Sequence, residues 1–208
     1  DRNKEAGLIG QVGGLNLAHA DYDNDGDRDL LILRGSWLDE AGLHPNTLLQ
    51  NNGRGQFTDA TQTSGLLSFH PTHSASWADY DSDGWLDLYV GNESSFNTFG
   101  TAPNKPHPSQ LYHSNGNGTF TDLAELAGVA VIGYVKGVAW GDYDNDGSPD
   151  LYLSILHSDN VLFHNNGDAT FSDVSTQAGL DVQLSSYGVA VGDYDQDGYI
   201  DLFVSQLR

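Results

Sequence analysis

Cysteine and methionine are absent from this 208-residue sequence, and basic residues are scarce. Without cysteine, the chain can form neither a disulfide framework nor a thiolate zinc site. Eight Lys and Arg residues stand against 29 Asp and Glu, which gives a formal net charge of −21. Nucleic acid is therefore not expected as a partner, because binding its phosphates needs clustered basic side chains. No apolar run approaches the roughly 18–20 residues that span a bilayer, so no membrane insertion is expected.

The acidic residues are unevenly divided between the two types. Only four of the 29 are Glu, which leaves 25 Asp. A solvated acidic face would mix the two types, so this preference for the shorter side chain indicates that a particular geometry is specified. Most of the aspartates fall in four copies of one nine-residue pattern. The copies are DYDNDGDRD (21–29), DYDSDGWLD (79–87), DYDNDGSPD (142–150) and DYDQDGYID (193–201).

Each copy keeps Asp at positions 1, 3, 5 and 9 and Gly at position 6, while position 7 varies freely. Free variation at position 7 is expected where only the backbone carbonyl is used. Alternating carboxylates, a Gly for the sharp turn, that carbonyl and a closing carboxylate make an all-oxygen cage. Such a cage suits Ca²⁺ better than Zn²⁺ or Cu²⁺, and it binds Mg²⁺ more weakly. The sequence therefore predicts four calcium sites, in which the cation neutralises carboxylates that would otherwise repel one another.

Two other interpretations of these loops were weighed. An EF-hand closes with a bidentate Glu at position 12 and lies between helices. The flanking segments here alternate in the manner of strands, and position 12 is apolar. Simple acidic hairpin turns would not explain four identical spacings, and they would leave the carboxylates uncompensated. The residues at position 12 are Ile32, Val90, Leu153 and Val204.

The repeat extends beyond the loop. A second element, with two strand-like runs around an Asn/Gly turn, predicts a hairpin. Its copies are LLQNNGRGQFTD (48–59), LYHSNGNGTFTD (111–122) and LFHNNGDATFSD (162–173). One repeat thus holds four strands, and four-stranded units of this period predict an all-β fold, a β-propeller of four-stranded antiparallel blades. Small residues just before each calcium loop fit the crowded innermost strand.

The ends of the chain are expected to be incomplete. Residues 1–8 match the tail of a preceding repeat, and the last repeat stops after its second strand. The absence of methionine also indicates a processed or excised segment. We expect one partial propeller domain over 1–208, with about three and a half blades. Its repeats span about 9–66, 67–129, 130–180 and an incomplete 181–208. Its expected partner is the remainder of a propeller of about seven blades, or a second copy of the chain.

Repeats of this form resemble the FG-GAP/VCBS repeats of integrin-α-type propellers, and most closely those of the cartilage acidic protein and ASPIC/UnbV-type branch. The resemblance covers essentially the whole chain and implies a calcium-stabilised propeller in a secreted or cell-surface protein. The calcium ligands that match the motif are Asp21, Asp23, Asp25 and Asp29; Asp79, Asp81, Asp83 and Asp87; Asp142, Asp144, Asp146 and Asp150; and Asp193, Asp195, Asp197 and Asp201. Position 7 adds the backbone carbonyls of Asp27, Trp85, Ser148 and Tyr199.

Calcium is expected to be structural, because protein fills every ligand position within one short loop, whereas a catalytic ion needs an open position. No nucleophile elbow, P-loop or His-Glu-x-x-His helix occurs, so no enzymatic activity is predicted. We expect an extracellular module for recognition, adhesion or scaffolding. Its protein or glycan ligand is expected on the face opposite the calcium loops, where the variable segment 92–109 lies.

The competing hypothesis is the propeller portion of a polysaccharide lyase or another carbohydrate-active enzyme. Converging imidazoles at the end opposite the loops could bind Zn²⁺ or Cu²⁺, or act as an acid–base pair. The histidines in question are His44, His70, His73 and His107, whereas His113 and His164 recur on the third strand and are interpreted as structural. Asn92 and Asn117 lie in N-x-Ser/Thr sequons, which signal glycosylation in a eukaryotic host.

Overall fold

A computed structural model describes residues 2–11, 13–94, 106–180 and 186–206. The described chain forms three four-stranded antiparallel sheets and one two-stranded sheet, each in chain order. We call them blades 1 to 4. Blade 1 holds β1 (Asn16–Ala20), β2 (Asp29–Leu33), β3 (Thr47–Asn51) and β4 (Phe57–Asp59). Blade 2 holds β5 (Thr72–Ala78), β6 (Asp87–Asn92), β7 (Gln110–Ser114) and β8 (Phe120–Asp122). Blade 3 holds β9 (Tyr134–Gly141), β10 (Asp150–Leu156), β11 (Val161–Asn165) and β12 (Phe171–Asp173), and blade 4 holds β13 (Ser186–Gly192) and β14 (Asp201–Gln206).

The sequence prediction of an all-β fold with four-stranded antiparallel blades is confirmed. The short helical pieces are a 3₁₀ turn at Asp39–Gly42 and one helical turn, α1, at Ala124–Ala127. Gly128 ends α1 in a left-handed conformation, with φ 81°, from which its amide reaches the carbonyls of Ala124 and Glu125. A residue without a Cβ adopts this conformation without strain.

The blades are arranged around their first strands. β1 contacts β5, β5 contacts β9, and β9 contacts β13, so these four strands line the inside of the arc. The small residues expected before the calcium loops lie on these strands, and Ala139 is nearly fully buried. The loops between first and second strands share one end of the molecule with the turns between third and fourth strands, since Asp27 lies against Gly53. That shared end is the calcium-loop end predicted from the topology.

Each hydrophobic core lies between two blades rather than inside one. Tyr22 of the first loop packs against Phe120 of blade 2, with ring centroids 5.9 Å apart, and Tyr80 packs in the same way against Phe171 of blade 3, at 5.7 Å. The second strands supply the centre: every residue of β6 and β10 is buried. Apolar burial on both faces of a strand is what stacked blades require. The second residue of the first and of the second loop thus lies between neighbouring blades.

Blade 4 has the same apolar positions, but their side chains are exposed to solvent. Its loop tyrosine, Tyr194, is 81% exposed, and Phe203 of β14 is 73% exposed. In blade 1 the first strand is also largely exposed, with Leu17 at 52%. The apolar residues that fill a core in blades 2 and 3 therefore face solvent at both ends of the described arc.

Candidate calcium sites and the opposite end of the propeller

The four aspartate loops share one backbone conformation. Position 6 is glycine in the left-handed region in all four, with φ between 90° and 96°. Position 4 is left-handed as well, although its residue has a side chain, and this conformation is otherwise uncommon outside glycine. The residues at position 4 are Asn24 (φ 56°), Ser82 (φ 59°), Asn145 (φ 60°) and Gln196 (φ 63°). Identical turns in four different contexts indicate that the Asp-rich sequence itself determines the loop.

The first aspartate closes the turn by accepting backbone amides. In the first loop, Asp21 Oδ1 accepts the N–H of Asp25 at 3.0 Å, and Asp21 Oδ2 accepts the N–H of Gly26 at 2.9 Å. The same pair of bonds recurs in the other three loops. The position-5 carboxylate in turn accepts the amide N–H of position 7, which involves Asp27, Trp85, Ser148 and Tyr199.

The closing aspartate at position 9 is the first residue of the second strand and connects three strands. In blade 2, Asp87 Oδ2 accepts the N–H of Tyr80 at 3.2 Å, and Oδ1 accepts the N–H of Ser114 at the end of β7, at 2.8 Å. Asp29 and Asp150 make the equivalent bonds in blades 1 and 3. All three carboxylates are at most 1% exposed. Burial raises the pKa of Asp87 to about 7 and that of Asp29 to about 6, although the backbone hydrogen bonds act in the opposite direction.

A third-strand side chain faces each of the first three loops. Gln50 Nε2 donates to Asp23 Oδ2 at 2.7 Å. In blade 2, His113 Nδ1 lies 3.3 Å from Asp81 Oδ2 and 3.2 Å from Asp87 Oδ1, and His164 lies in the same way against Asp144 and Asp150. From the sequence, these histidines are expected to be structural. Their recurrence at one position of the third strand was the signal that could have assigned them to the loops.

The carboxylates of the loops converge as the spacing predicts. Ligand-type oxygen atoms of Asp21, Asp23 and Asp29 lie within 4.8 Å of one another, as do those of Asp79, Asp81 and Asp83 and those of Asp142, Asp144 and Asp150. In the first loop, the buried Oδ1 of Asp23 has no hydrogen-bond partner. A buried carboxylate oxygen without a partner is costly unless a cation supplies one. The donor atoms of these three triads are carboxylate oxygens, which fit calcium. In the second and third loops, His113 and His164 also lie within the same distance of loop carboxylates.

The opposite end of the propeller is built around Glu93, which directly follows β6. Its carboxylate is 3% exposed and accepts hydrogen bonds from Ser36 Oγ at 2.6 Å and from the Trp37 amide at 2.7 Å. Lys136 Nζ, from β9, also binds Oε1 of Glu93. Burial alone would raise the pKa of Glu93, but the hydrogen bonds from His73, Lys136, Ser36 and Trp37 outweigh it and hold the pKa at about 2. Burial lowers the pKa of Lys136, against the influence of Glu93.

The four histidines expected at this end do not form one site. His70 and His107 do meet, with Nδ1 atoms 2.9 Å apart, so one ring nitrogen donates to the other. His73 lies instead beside Ser36 and Glu93, with its Nδ1 2.8 Å from Ser36 Oγ. His44 borders a separate cavity of about 530 Å³ with Arg34 and Asp59. His44 and His107 occupy equivalent positions in their repeats, seven residues before the turn of the third strand, but they do not share a site.

The sequon at Asn92 lies in the protein interior. Asn92 is 0% exposed, and its Nδ2 donates to Pro108 O and Gln110 Oε1. The folded chain therefore cannot present this asparagine for glycosylation, whereas Asn117 is exposed on a turn at the calcium-loop end. Of the variable segment 92–109, residues 95–105 lie outside the described residues. No helix in the described part of the chain has the length and apolar composition needed to cross a membrane.

Two solved structures resemble this fold. One is described as the structural basis of specific recognition of non-reducing terminal N-acetylglucosamine by an Agrocybe aegerita lectin; it matches with a TM-score of 0.51 and 18% identity, over 96% of this chain and 49% of that one. The other is the exotype rhamnogalacturonan lyase YesX, with a TM-score of 0.51 and 14% identity, over 91% of this chain and 38% of that one. At such identities the likeness shows the fold alone.

Sequence comparison finds relatives among curated proteins. Cartilage acidic protein 1 of Homo sapiens is 26% identical over 198 residues, which cover 92% of this chain and 30% of the relative. The Mus musculus protein is 25% identical, over 92% of this chain and 31% of the relative. The chain thus spans just under a third of the length of these relatives. The model of the FG-GAP-like repeat matches residues 16–90, 99–153 and 152–204, and the chain belongs to that repeat family.

Proposed function

We propose that this chain is a calcium-stabilised propeller module that recognises protein or glycan ligands outside the cell. The observation that carries the calcium part is the repeated loop, in which carboxylate oxygens converge within 4.8 Å of one another. Among the described ion pairs, the imidazoles of His113 and His164 are the only basic groups in contact with loop carboxylates. Four bound Ca²⁺ ions would supply the missing positive charge.

The ligands of each proposed site show which strands a bound calcium ion would stabilise. The proposed ligands are the carboxylates at positions 1, 3, 5 and 9 of each loop and the carbonyl at position 7. In blades 1 to 3 the position-9 carboxylate accepts an amide of the third strand, so each of these three sites would fix the first hairpin to the next strand of its blade. The role we assign to calcium is therefore structural: it neutralises the cage and keeps three strands in register.

For recognition, we favour the end opposite the loops. The loops at that end differ from blade to blade, and binding surfaces are usually carried by variable loops on a rigid scaffold. Support for an extracellular role comes from the relatives named for cartilage, and support for ligand recognition comes from the lectin of the same fold. The whole activity of the relatives involves a longer chain, so their partners are not transferred to this module.

One contact favours the alternative proposal of an enzyme, namely that between His70 and His107. Burial and the neighbouring His107 lower the pKa of His70. The Asp122 carboxylate acts on the pKa of His70 in the opposite direction and raises it. The other buried ionisable pair, Glu93 with Lys136, is saturated by mutual hydrogen bonds. We therefore propose that the module acts by binding rather than by catalysis.

The test is a thermal melt of the chain with excess chelator and with millimolar calcium. At a free calcium concentration 100-fold above Kd, one independent site adds about 2.7 kcal/mol to the free energy of unfolding. We expect chelation to lower the melting temperature by several degrees and calcium to restore it, whereas Mg²⁺ restores it less. An Asp168→Ala variant, which removes an exposed carboxylate outside the loops, is the matched control and should respond to calcium like the parent. An identical melt with chelator and with calcium would contradict the proposal.

A further inference from the structure

Residues from four blades meet at the end of the propeller opposite the calcium loops. Trp37 comes from the connection after β2, His73 from β5, Lys136 from β9 and Tyr187 from β13. The Trp37 and Tyr187 rings lie with centroids 5.8 Å apart and planes 22° from parallel. His73 meets the edge of Trp37, also at 5.8 Å. Trp37 thus reaches across the arc from the first blade to the fourth, over the mouth enclosed by the first strands.

One face of Trp37 is covered and the other is open. Lys136 Nζ lies 3.1 Å from the Trp37 ring and 6.0 Å from the Tyr187 ring. If Tyr187 covered the face opposite Lys136, the lysine would lie much farther from Tyr187 than it does. Tyr187 therefore does not lie on the face opposite Lys136, and the two rings are 22° from parallel with their centroids 5.8 Å apart. Trp37 remains 47% exposed although Lys136 covers one face, which leaves its outer face to solvent.

The chain holds Trp37 in a costly conformation to achieve this. Its φ is 69°, in the left-handed region, where a bulky aromatic residue is a genuine outlier. Such strain persists only where the surroundings fix it, and it concentrates at binding sites. Here the buried Glu93 carboxylate fixes it by accepting the Trp37 amide, while Ser36 and Lys136 hold the carboxylate. The whole buried network therefore serves to position one half-exposed indole.

We propose that Trp37 and Tyr187 form a stacking platform for an uncharged pyranose residue of a glycan, bound at the propeller mouth. The inference rests on the proposed recognition function and assigns it a site and a ligand class. The C–H groups on one face of a pyranose carry slight positive charge and pack on the negative face of an aromatic ring. Polar side chains near the two rings are His73, which contacts Trp37, and Tyr134, whose ring centroid lies 5.2 Å from Lys136 Nζ; in this proposal they offer hydrogen bonds to the hydroxyl groups of the sugar.

Charge excludes the other ligands that stack on aromatic rings. A cationic ligand is disfavoured because Lys136 already occupies the inner face of Trp37 and weakens the attraction of the ring for a second cation. Nucleobases stack equally well, but their phosphates would meet a chain of net charge −21. Acidic glycans meet the same repulsion. A protein partner would bind through single side chains filling pockets, whereas a half-exposed indole beside a second, nearly parallel ring suits a ring-shaped ligand.

The experiment measures binding of uncharged hexasaccharides of glucose, mannose and N-acetylglucosamine to the full chain by calorimetry, with about 2 mM calcium. We expect at least one hexasaccharide to bind, Trp37→Ala to weaken its association about tenfold, and Tyr187→Ala to weaken it less. Leu126→Ala, which removes a side chain 80% exposed on α1, is the matched control and should bind like the parent.

A second readout covers the case in which Trp37→Ala does not fold. In Trp37→Phe, which keeps an aromatic ring, the sugar should still bind but should no longer change the tryptophan fluorescence as it does in the parent. Equal affinity of parent and Trp37→Ala, a fluorescence change that survives in Trp37→Phe, or no binding of any of the three sugars would overturn the proposal. So would competition for the platform by a protein ligand. The thermal melt with calcium tests the proposed calcium sites, whereas sugar binding tests the Trp37–Tyr187 platform. A negative result in one experiment therefore leaves the other proposal intact.

Discussion

Asn24, at position 4 of the first loop, donates from its side-chain amide to the carbonyl oxygen of Gly84 in the second loop, at 3.1 Å. Asn145 of the third loop makes the same bond to Gly198 of the fourth, at 3.0 Å. The second loop has Ser82 at this position, and a serine side chain is too short to reach a neighbouring blade. The loops are therefore joined in two pairs, first with second and third with fourth.

This pairing predicts that calcium sites interact within each pair. Gly84 directly precedes the residue whose carbonyl is the position-7 ligand of the second loop. Calcium bound in either loop should therefore stabilise the conformation of the other loop. We expect Asn24→Ser, which copies the residue of the unlinked loop, to weaken calcium binding at the first two sites by a few-fold. Calcium titrations followed by calorimetry measure the effect. Ser82→Ala is the control, and equal isotherms for Asn24→Ser and the parent would show that the bond does not couple the sites.

The tyrosine at position 2 of each loop predicts a contrast in stability. Tyr80→Ala should lower the free energy of unfolding by about 3–5 kcal/mol, because it leaves a cavity between Trp140 and Phe171. Tyr194→Ala should change it by less than about 0.5 kcal/mol, because Tyr194 is exposed. Urea denaturation of both variants provides the comparison.

A further variant separates packing from hydrogen bonding at this position. The Tyr80 hydroxyl is buried without a hydrogen-bond partner among the described residues, so Tyr80→Phe should retain stability. If Tyr80→Phe lowered the free energy of unfolding as much as Tyr80→Ala, packing of the ring between blades would not be the source of the stability.

The Glu93 network predicts a pH-dependent contribution to stability. The folded protein keeps Glu93 ionised down to about pH 2, whereas an unfolded glutamate takes up its proton near pH 4.5. The stabilisation is therefore complete above about pH 4.5 and is lost as the pH falls toward 2. Glu93→Gln should cost about 3–5 kcal/mol at neutral pH, because it leaves Lys136 buried and unpaired.

Two measurements check this expectation. The difference in unfolding free energy between Glu93→Gln and the parent should shrink between pH 4.5 and pH 2.5. The double variant Glu93→Gln with Lys136→Met removes both charges, and it should recover part of the loss at neutral pH. A difference that stays constant with pH would mean that the Glu93 carboxylate is not the stabilising group.

Removal of one loop carboxylate predicts a local effect. Asp144→Ala takes the position-3 ligand from the third loop and should expose the amides of β9, β10 and the end of β11 to faster hydrogen exchange. The amides of blade 1 should exchange as in the parent, because Asp144 belongs to the other pair of loops. Mass spectrometry of exchanged peptides in calcium measures both. Uniformly faster exchange would indicate that the blades open as one unit.

The sequence was sufficient for the repeating parts of this molecule. Strands, their order and the loop geometry recur every blade, so each copy supports the others. The Glu93 network could not be predicted in this way, because Ser36, Trp37, Glu93 and Lys136 come from non-equivalent positions in three repeats. Only the radial placement of the blades brings them together. The same reason explains why the histidines do not form one site. His44 and His107 occupy equivalent positions in their repeats, but the blades place them beside different neighbours.

The position-9 aspartates have a mechanical consequence. Asp87 ties the start of β6 to the end of β7, so a pull along the chain would load this carboxylate as well as the ladder of backbone bonds. Asp29 and Asp150 occupy the same place in their blades. Under a mechanical load, each of blades 1 to 3 would therefore be held at its loop end by a cross-strand carboxylate bond, and if calcium occupies the loop, the strength of that bond would follow the calcium concentration.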